Sequence, residues 1–196
     1  MWKVMTDPYY RFATWMVVGL CGANTLTGIN AINFFSTRIL SDIKADNPDH
    51  GLTPVQGDAL LGGIQWIACF IAPFLTYFSM RAGLVGGFIA MGVFEILVGV
   101  FATLEWNNVV LIMMMISLFI YSVTIGPYTW VYIGEVGNEK SQALGLIFAQ
   151  GIIQSLTINY MFDYFGENGT FWTFGVCCIL AGALMCIFMK ETKGLT

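Results

Sequence analysis

A chain of 196 residues that is 57% hydrophobic and 10% charged, with net charge −4 and mean hydropathy +0.74, is not a soluble domain. Soluble domains carry charge on about a quarter of their residues. The lone histidine, His50, and five cysteines (Cys21, Cys69, Cys177, Cys178, Cys186) without ligand or disulfide spacing leave no basis for a metal centre. No nucleophile–base pair, cofactor loop or nucleic-acid patch is visible, so no enzyme, no cofactor and no nucleic-acid partner are expected.

Six apolar runs follow one another: Phe12 to Leu40, Leu60 to Ser79, Leu84 to Leu104, Val109 to Ile133, Ala143 to Phe162 and Phe171 to Met189. Each approaches or exceeds the roughly 20 residues that cross hydrocarbon as a helix. The expected architecture is an all-α membrane protein of six transmembrane helices. Residues 1–11 form an N-terminal segment, 12–189 the bundle, and 190–196 a tail. An even number of spans puts both termini on one side, together with Lys3, Arg11, Arg81, Lys140, Lys190 and Lys193. That side is therefore the cytoplasm, or the matrix of a mitochondrion. No cleavable leader is visible, and the first span is expected to direct its own insertion.

The first span is interrupted by Asn24-Thr25-Leu26-Thr27-Gly28-Ile29-Asn30. Lipid cannot satisfy such polar groups, which must face protein or an aqueous cavity. Asn24, Thr27, Asn30 and Asn33 recur at intervals of three, which winds the row back around a helix by about 60° per step. The row covers half the circumference unless the helix opens near Gly28. Discontinuous helices of this kind make substrate sites in transporters, and uncharged amides and hydroxyls suit a neutral, hydroxyl-rich ligand. Interhelical hydrogen bonding is the plainer account.

The stretch from Ser41 to Val55 reads as a solvated turn, with Pro48, Gly51 and Pro54. Gly83 and Gly87 in the third span, Gly145 and Ala149 in the fifth, and Gly175 and Gly182 in the sixth have the spacing of close helix packing, which intrachain contacts suffice to explain. Glu95, inside the third span, is an intramembrane carboxyl that is either protonated or exposed to pair with another chain. In the fourth span, Gly126-Pro127-Tyr128-Thr129-Trp130 places a helix-kinking proline ahead of an indole face. That face fits a hydroxylated ring, or else an interfacial aromatic belt. The fifth span offers Gln150 and Gln154, one turn apart. Asn168-Gly169-Thr170 is a glycosylation tripeptide squeezed between two helix ends, where chance accounts for it.

These pieces, in this order, resemble the C-terminal half of the sugar-porter family of the major facilitator superfamily, from about Tyr10 to Thr196. Asn24 to Asn30, followed by Phe34-Phe35-Ser36-Thr37, looks like the family's seventh helix, Gly126 to Trp130 with Glu135 its tenth, and Glu191-Thr192-Lys193-Gly194 its tail signature. The resemblance implies half of a major facilitator fold. By position it implies sugar contacts from Asn24, Thr25, Asn30, Trp130 and Gln154. It also implies gating or hinge roles for Gly28, Gly126, Pro127, Arg81 and Glu135. The chain departs from the pattern in several places. Asn24 and Thr25 are shorter than the family's two glutamines, Ala68 stands at or beside its eighth-helix asparagine, and Thr129 replaces its second proline. The arginine-rich gate signature survives only as Met80-Arg81-Ala82-Gly83, leaving Glu135 without its arginine latch.

In this family the substrate lies between two six-helix halves, and one half alone is expected to leave its polar stripe facing lipid. Two functions follow. One is secondary transport of a small neutral sugar or polyol, in company with a second six-helix half. The other is a non-transporting remnant that serves as a structural subunit of a larger membrane complex, such as a respiratory assembly of the mitochondrial inner membrane. In either case the partners are the bilayer and whatever chain covers the polar face.

Overall fold

The computed structural model describes residues 11–33, 36, 41, 54–75, 79–137, 139–147 and 155–189. These are helical throughout, with short breaks. The helices are α1 (Arg11–Thr25), α2 (Pro54–Leu75), α3 (Met80–Thr103), α4 (Asn107–Val123), α5 (Ile125–Val136), α6 (Glu139–Leu146) and α7 (Ser155–Phe188). Among the described residues, five stretches are long and apolar enough to cross a membrane: Arg11–Asn33, Val55–Phe74, Met80–Thr103, Asn107–Val136 and Asn168–Phe188. The remaining expected span, Ala143 to Phe162, has its middle outside the described residues, as does most of the turn from Ser41 to Val55.

Side-chain hydroxyls decide where α1 stops. The Thr25 hydroxyl donates back to the Cys21 carbonyl at 3.0 Å, and the Thr27 hydroxyl to the Asn24 carbonyl at 2.7 Å. Both compete with the helical ladder for its acceptors. Gly28 then adopts φ 71°, a left-handed conformation that glycine reaches without a Cβ penalty. Helical pairing resumes with the Ile32 N–H to the Gly28 carbonyl at 2.9 Å. The span is thus two helical pieces joined at residues 26–28.

The fourth span also breaks, at Thr124 (φ −113°, ψ −79°), between α4 and α5. Sequence places the kink at Pro127, three residues later. The difference is physical: a proline ring clashes with the carbonyl four residues before it and leaves that carbonyl without a donor, so distortion appears upstream. The Thr124 hydroxyl and N–H both donate to the Ile120 carbonyl, at 2.6 and 2.9 Å, which anchors the end of α4 ahead of the break.

At the centre lies α3, packed most extensively on α7 and also on α4 and α5. Its buried face carries Leu84, Phe88, Met91 and Val98. Against α7 the contact is backbone to backbone. A Cβ at Gly92 would lie 2.7 Å from the Gly175 carbonyl oxygen, and one at Gly175 would lie 2.9 Å from the Gly92 carbonyl oxygen. Gly83, facing the Tyr128 ring, and Gly87, facing Thr124, seat α3 against the α4–α5 break. All of these glycines are used within the chain.

No separate loop divides the last two expected spans. The chain stays helical through residues 155–188 with one interruption, Gly166 at φ 65° and ψ −177°. The Thr170 hydroxyl closes the gap by donating to the Gly166 carbonyl at 2.6 Å and the Met161 carbonyl at 3.2 Å.

Candidate functional site: two interrupted helices joined by a hydrogen bond

The polar stripe of α1 does not simply face outward. Asn24 is 9% exposed and Thr27 is fully buried. Asn24 Oδ1 accepts a hydrogen bond from the Tyr121 hydroxyl at 2.8 Å. That bond ties the α1 break to the end of α4, just ahead of the break at Thr124. The expectation that a lone half leaves this stripe against lipid is therefore corrected for Asn24 and Thr27. The chain satisfies them itself, because the two breaks lie side by side. Asn30 is half-buried and Asn33 exposed, so the outer part of the row remains on the surface.

Thr25 is half-buried, with its hydroxyl committed to the Cys21 carbonyl. Trp130 is 48% exposed on α5, and its neighbour Thr129 is fully buried with a hydroxyl oxygen that has no hydrogen-bond partner. Gln154 and Gln150 lie outside the described residues. Gly126 and Pro127 form the first turn of α5, and Glu135 is exposed in its last turn. The Arg81 guanidinium donates to the Cys186 carbonyl, joining the start of α3 to the end of α7. Ala68 is fully buried in α2.

Glu95 overturns the expectation of an exposed carboxyl reaching for another chain. It is 0% exposed within this chain alone. Its depth follows from helix packing, since α3 is covered on one side by α7 and its Glu95 face meets the gap opened at Gly28. A Cβ on Gly28 would lie 2.8 Å from Glu95 Oε1 and 2.9 Å from the Phe174 ring.

Sequence reasoning overlooked Tyr121. A phenol within the predominantly apolar run Ile112 to Val123 was the available signal, because a buried tyrosine hydroxyl needs a partner.

Two interrupted membrane helices tied at their breaks by an amide–phenol hydrogen bond are an arrangement of the kind that lines substrate sites in secondary transporters. The profile described as "Sugar (and other) transporter" matches residues 1–196, and the chain belongs to that family. Its relatives include the facilitated trehalose transporter Tret1 of Bombyx mori, 26% identical over 207 residues, with 98% of this chain and 40% of the relative covered. Tret1 of Aedes aegypti is 26% identical over 192 residues, covering 90% of this chain and 23% of the relative. YncC of Bacillus subtilis (strain 168) is 26% identical over 207 residues, covering 99% of this chain and 43% of its own length. The chain thus spans less than half the length of these curated relatives.

Proposed function

We propose that this chain forms one wall of a sugar porter and, with a second six-helix half, carries a small neutral sugar or polyol across the membrane. The observation that carries this reading is the pair of interrupted spans, broken at Gly28 and at Thr124, with Asn30 only partly buried and Trp130 48% exposed. Asn24, Asn30 and Gln154 would meet sugar hydroxyls, with Thr25 contributing through its carbonyl or a rotated hydroxyl. Trp130 would pack on the ring. Gly28, Gly126 and Pro127 would take up bending, while Arg81 and Glu135 would serve the gate. The trehalose transporters among the relatives favour an uncharged disaccharide within this substrate class.

One observation favours the second reading, a structural subunit without transport. Asn24, Thr25 and Thr27 are all hydrogen-bonded inside the chain, so their retention does not require a sugar. Purification in mild detergent followed by reconstitution separates the two. Uptake of labelled trehalose or glucose, falling at least about tenfold in Trp130→Ala (the loss of about 1.4 kcal/mol of binding), supports transport. A stable complex with many other subunits and no uptake supports the scaffold.

A further inference from the structure

Glu95 has one occupied oxygen and one idle one. Oε2 accepts from the Cys178 thiol at 3.6 Å. Oε1 is buried without any hydrogen-bond partner and faces the α1 break at Gly28. From α7 the titratable neighbours are Cys178 and Cys177. From α1 the facing group is the Gly28 backbone. From α4 and α5 the titratable side chains are Tyr121, committed to Asn24, and Tyr128, Tyr132 and Glu135. Among the described residues no lysine, arginine or histidine pairs with Glu95. Arg81, on the same helix, is about 21 Å away along the axis at 1.5 Å per residue.

An ionised carboxylate in such a place would lack a counter-charge, water and half its acceptor bonds, a far greater cost than one missing hydrogen bond. A carboxylic acid can stay, because its O–H can turn toward the break. There the Thr27 N–H has left the helical register for the Asn24 carbonyl at 3.3 Å, and normal pairing returns only at Ile32. We propose that Glu95 is a proton-binding site whose neutral carboxyl packs into the α1 break and holds it closed, so that loss of the proton drives the break open to water. In that step the Oε1–H bond breaks, its electron pair stays on oxygen, and water takes the proton. The resulting carboxylate is hydrated only when residues 26–28 move off α3. The proton thus governs the segment that bears Asn24, Thr25 and Asn30.

The purified full chain in lipid nanodiscs, without sugar, tests this independently of the transport reading. Infrared difference spectra of wild type minus Glu95→Gln are expected to contain a protonated-carboxyl band that shifts in D2O. If E95Q fails to insert, Glu95→Leu supplies the same subtraction. A difference spectrum without such a band overturns the proposal. Maleimide labelling of Cys178, read by mass spectrometry across pH, tests the opening. Protection of Cys178 is expected to fall with rising pH in wild type more steeply than in E95Q, in which that side chain cannot ionise. Superimposable pH profiles overturn the coupling to the break.

Discussion

Alanine at Gly28 and alanine at Gly19 add the same methyl group to one membrane span, with opposite consequences. At Gly28 the backbone stands at φ 71°, where a residue with a Cβ costs about 1–2 kcal/mol. The methyl would also fall 2.8 Å from Glu95 Oε1 and 2.9 Å from the Phe174 ring. Glu95 is 0% and Phe174 1% exposed, so neither has room to swing aside. Overpacking of this kind costs about 1–3 kcal/mol, for a combined penalty of about 2–5 kcal/mol. At Gly19 nothing lies within 4 Å of the added carbon, and the residue is inside α1. There alanine gains up to about 1 kcal/mol of helix propensity. Thermal unfolding of both variants in the same detergent, followed by circular dichroism, reads the difference. At about 2–4 °C per kcal/mol for a chain of this size, Gly28→Ala melts roughly 4–20 °C below wild type, and Gly19→Ala at or above it. Coincident midpoints for the two variants would refute the argument that the break is built on a left-handed glycine wedged against α3 and α7.

Three further outcomes are expected. Tyr121→Phe removes the donor to Asn24 Oδ1 and costs about 0.6–1.7 kcal/mol, the range for hydrogen bonds between membrane helices. Denaturant titration measures the loss, and pairing with Asn24→Ala in a double-mutant cycle isolates the bond. Glu105, in the turn between α3 and α4, is a non-glycine residue with positive φ, at 58°; Glu105→Gly therefore raises the midpoint by the equivalent of about 1 kcal/mol. Gly92→Ala presses a methyl to 2.7 Å from the Gly175 carbonyl oxygen. A backbone atom cannot rotate away, so α3 and α7 must part, and the variant unfolds at lower detergent denaturant than wild type by about 1–3 kcal/mol.

What could be read from the sequence was governed by distance along the chain. Apolar run lengths located five of the six expected spans among the described residues, because each depends on local composition alone. The interruption in the first span was equally local: Thr25, Thr27 and Gly28 carry both the competing hydroxyls and the flexible backbone. Pro127 announced a distortion, but its position depends on a carbonyl one turn earlier, and the structure shows it at Thr124. The partners of Asn24 and Glu95 were not legible. Tyr121 is 97 residues from Asn24, and Cys178 is 83 from Glu95, so only the packing of α3 on α7 and of α4 near α1 brings them together. For the same reason the sequence left Glu95 open between a protonated carboxyl and one paired with another chain, when glycine-mediated closeness of its own helices encloses it.

The glycine seam between α3 and α7 has a mechanical corollary. Where two backbones touch through Gly92 and Gly175, no flexible side chain lies between them to absorb a shift. These two helices resist shear and behave as a stiff slab. Compliance is left to the segments at Thr27–Gly28, at Val123–Pro127, where proline has no N–H to give, and at Gly166, where the backbone departs from the helix and bending meets less resistance. Among the described residues, deformation is therefore concentrated in these interruptions, and the Tyr121 phenol couples the first two of them.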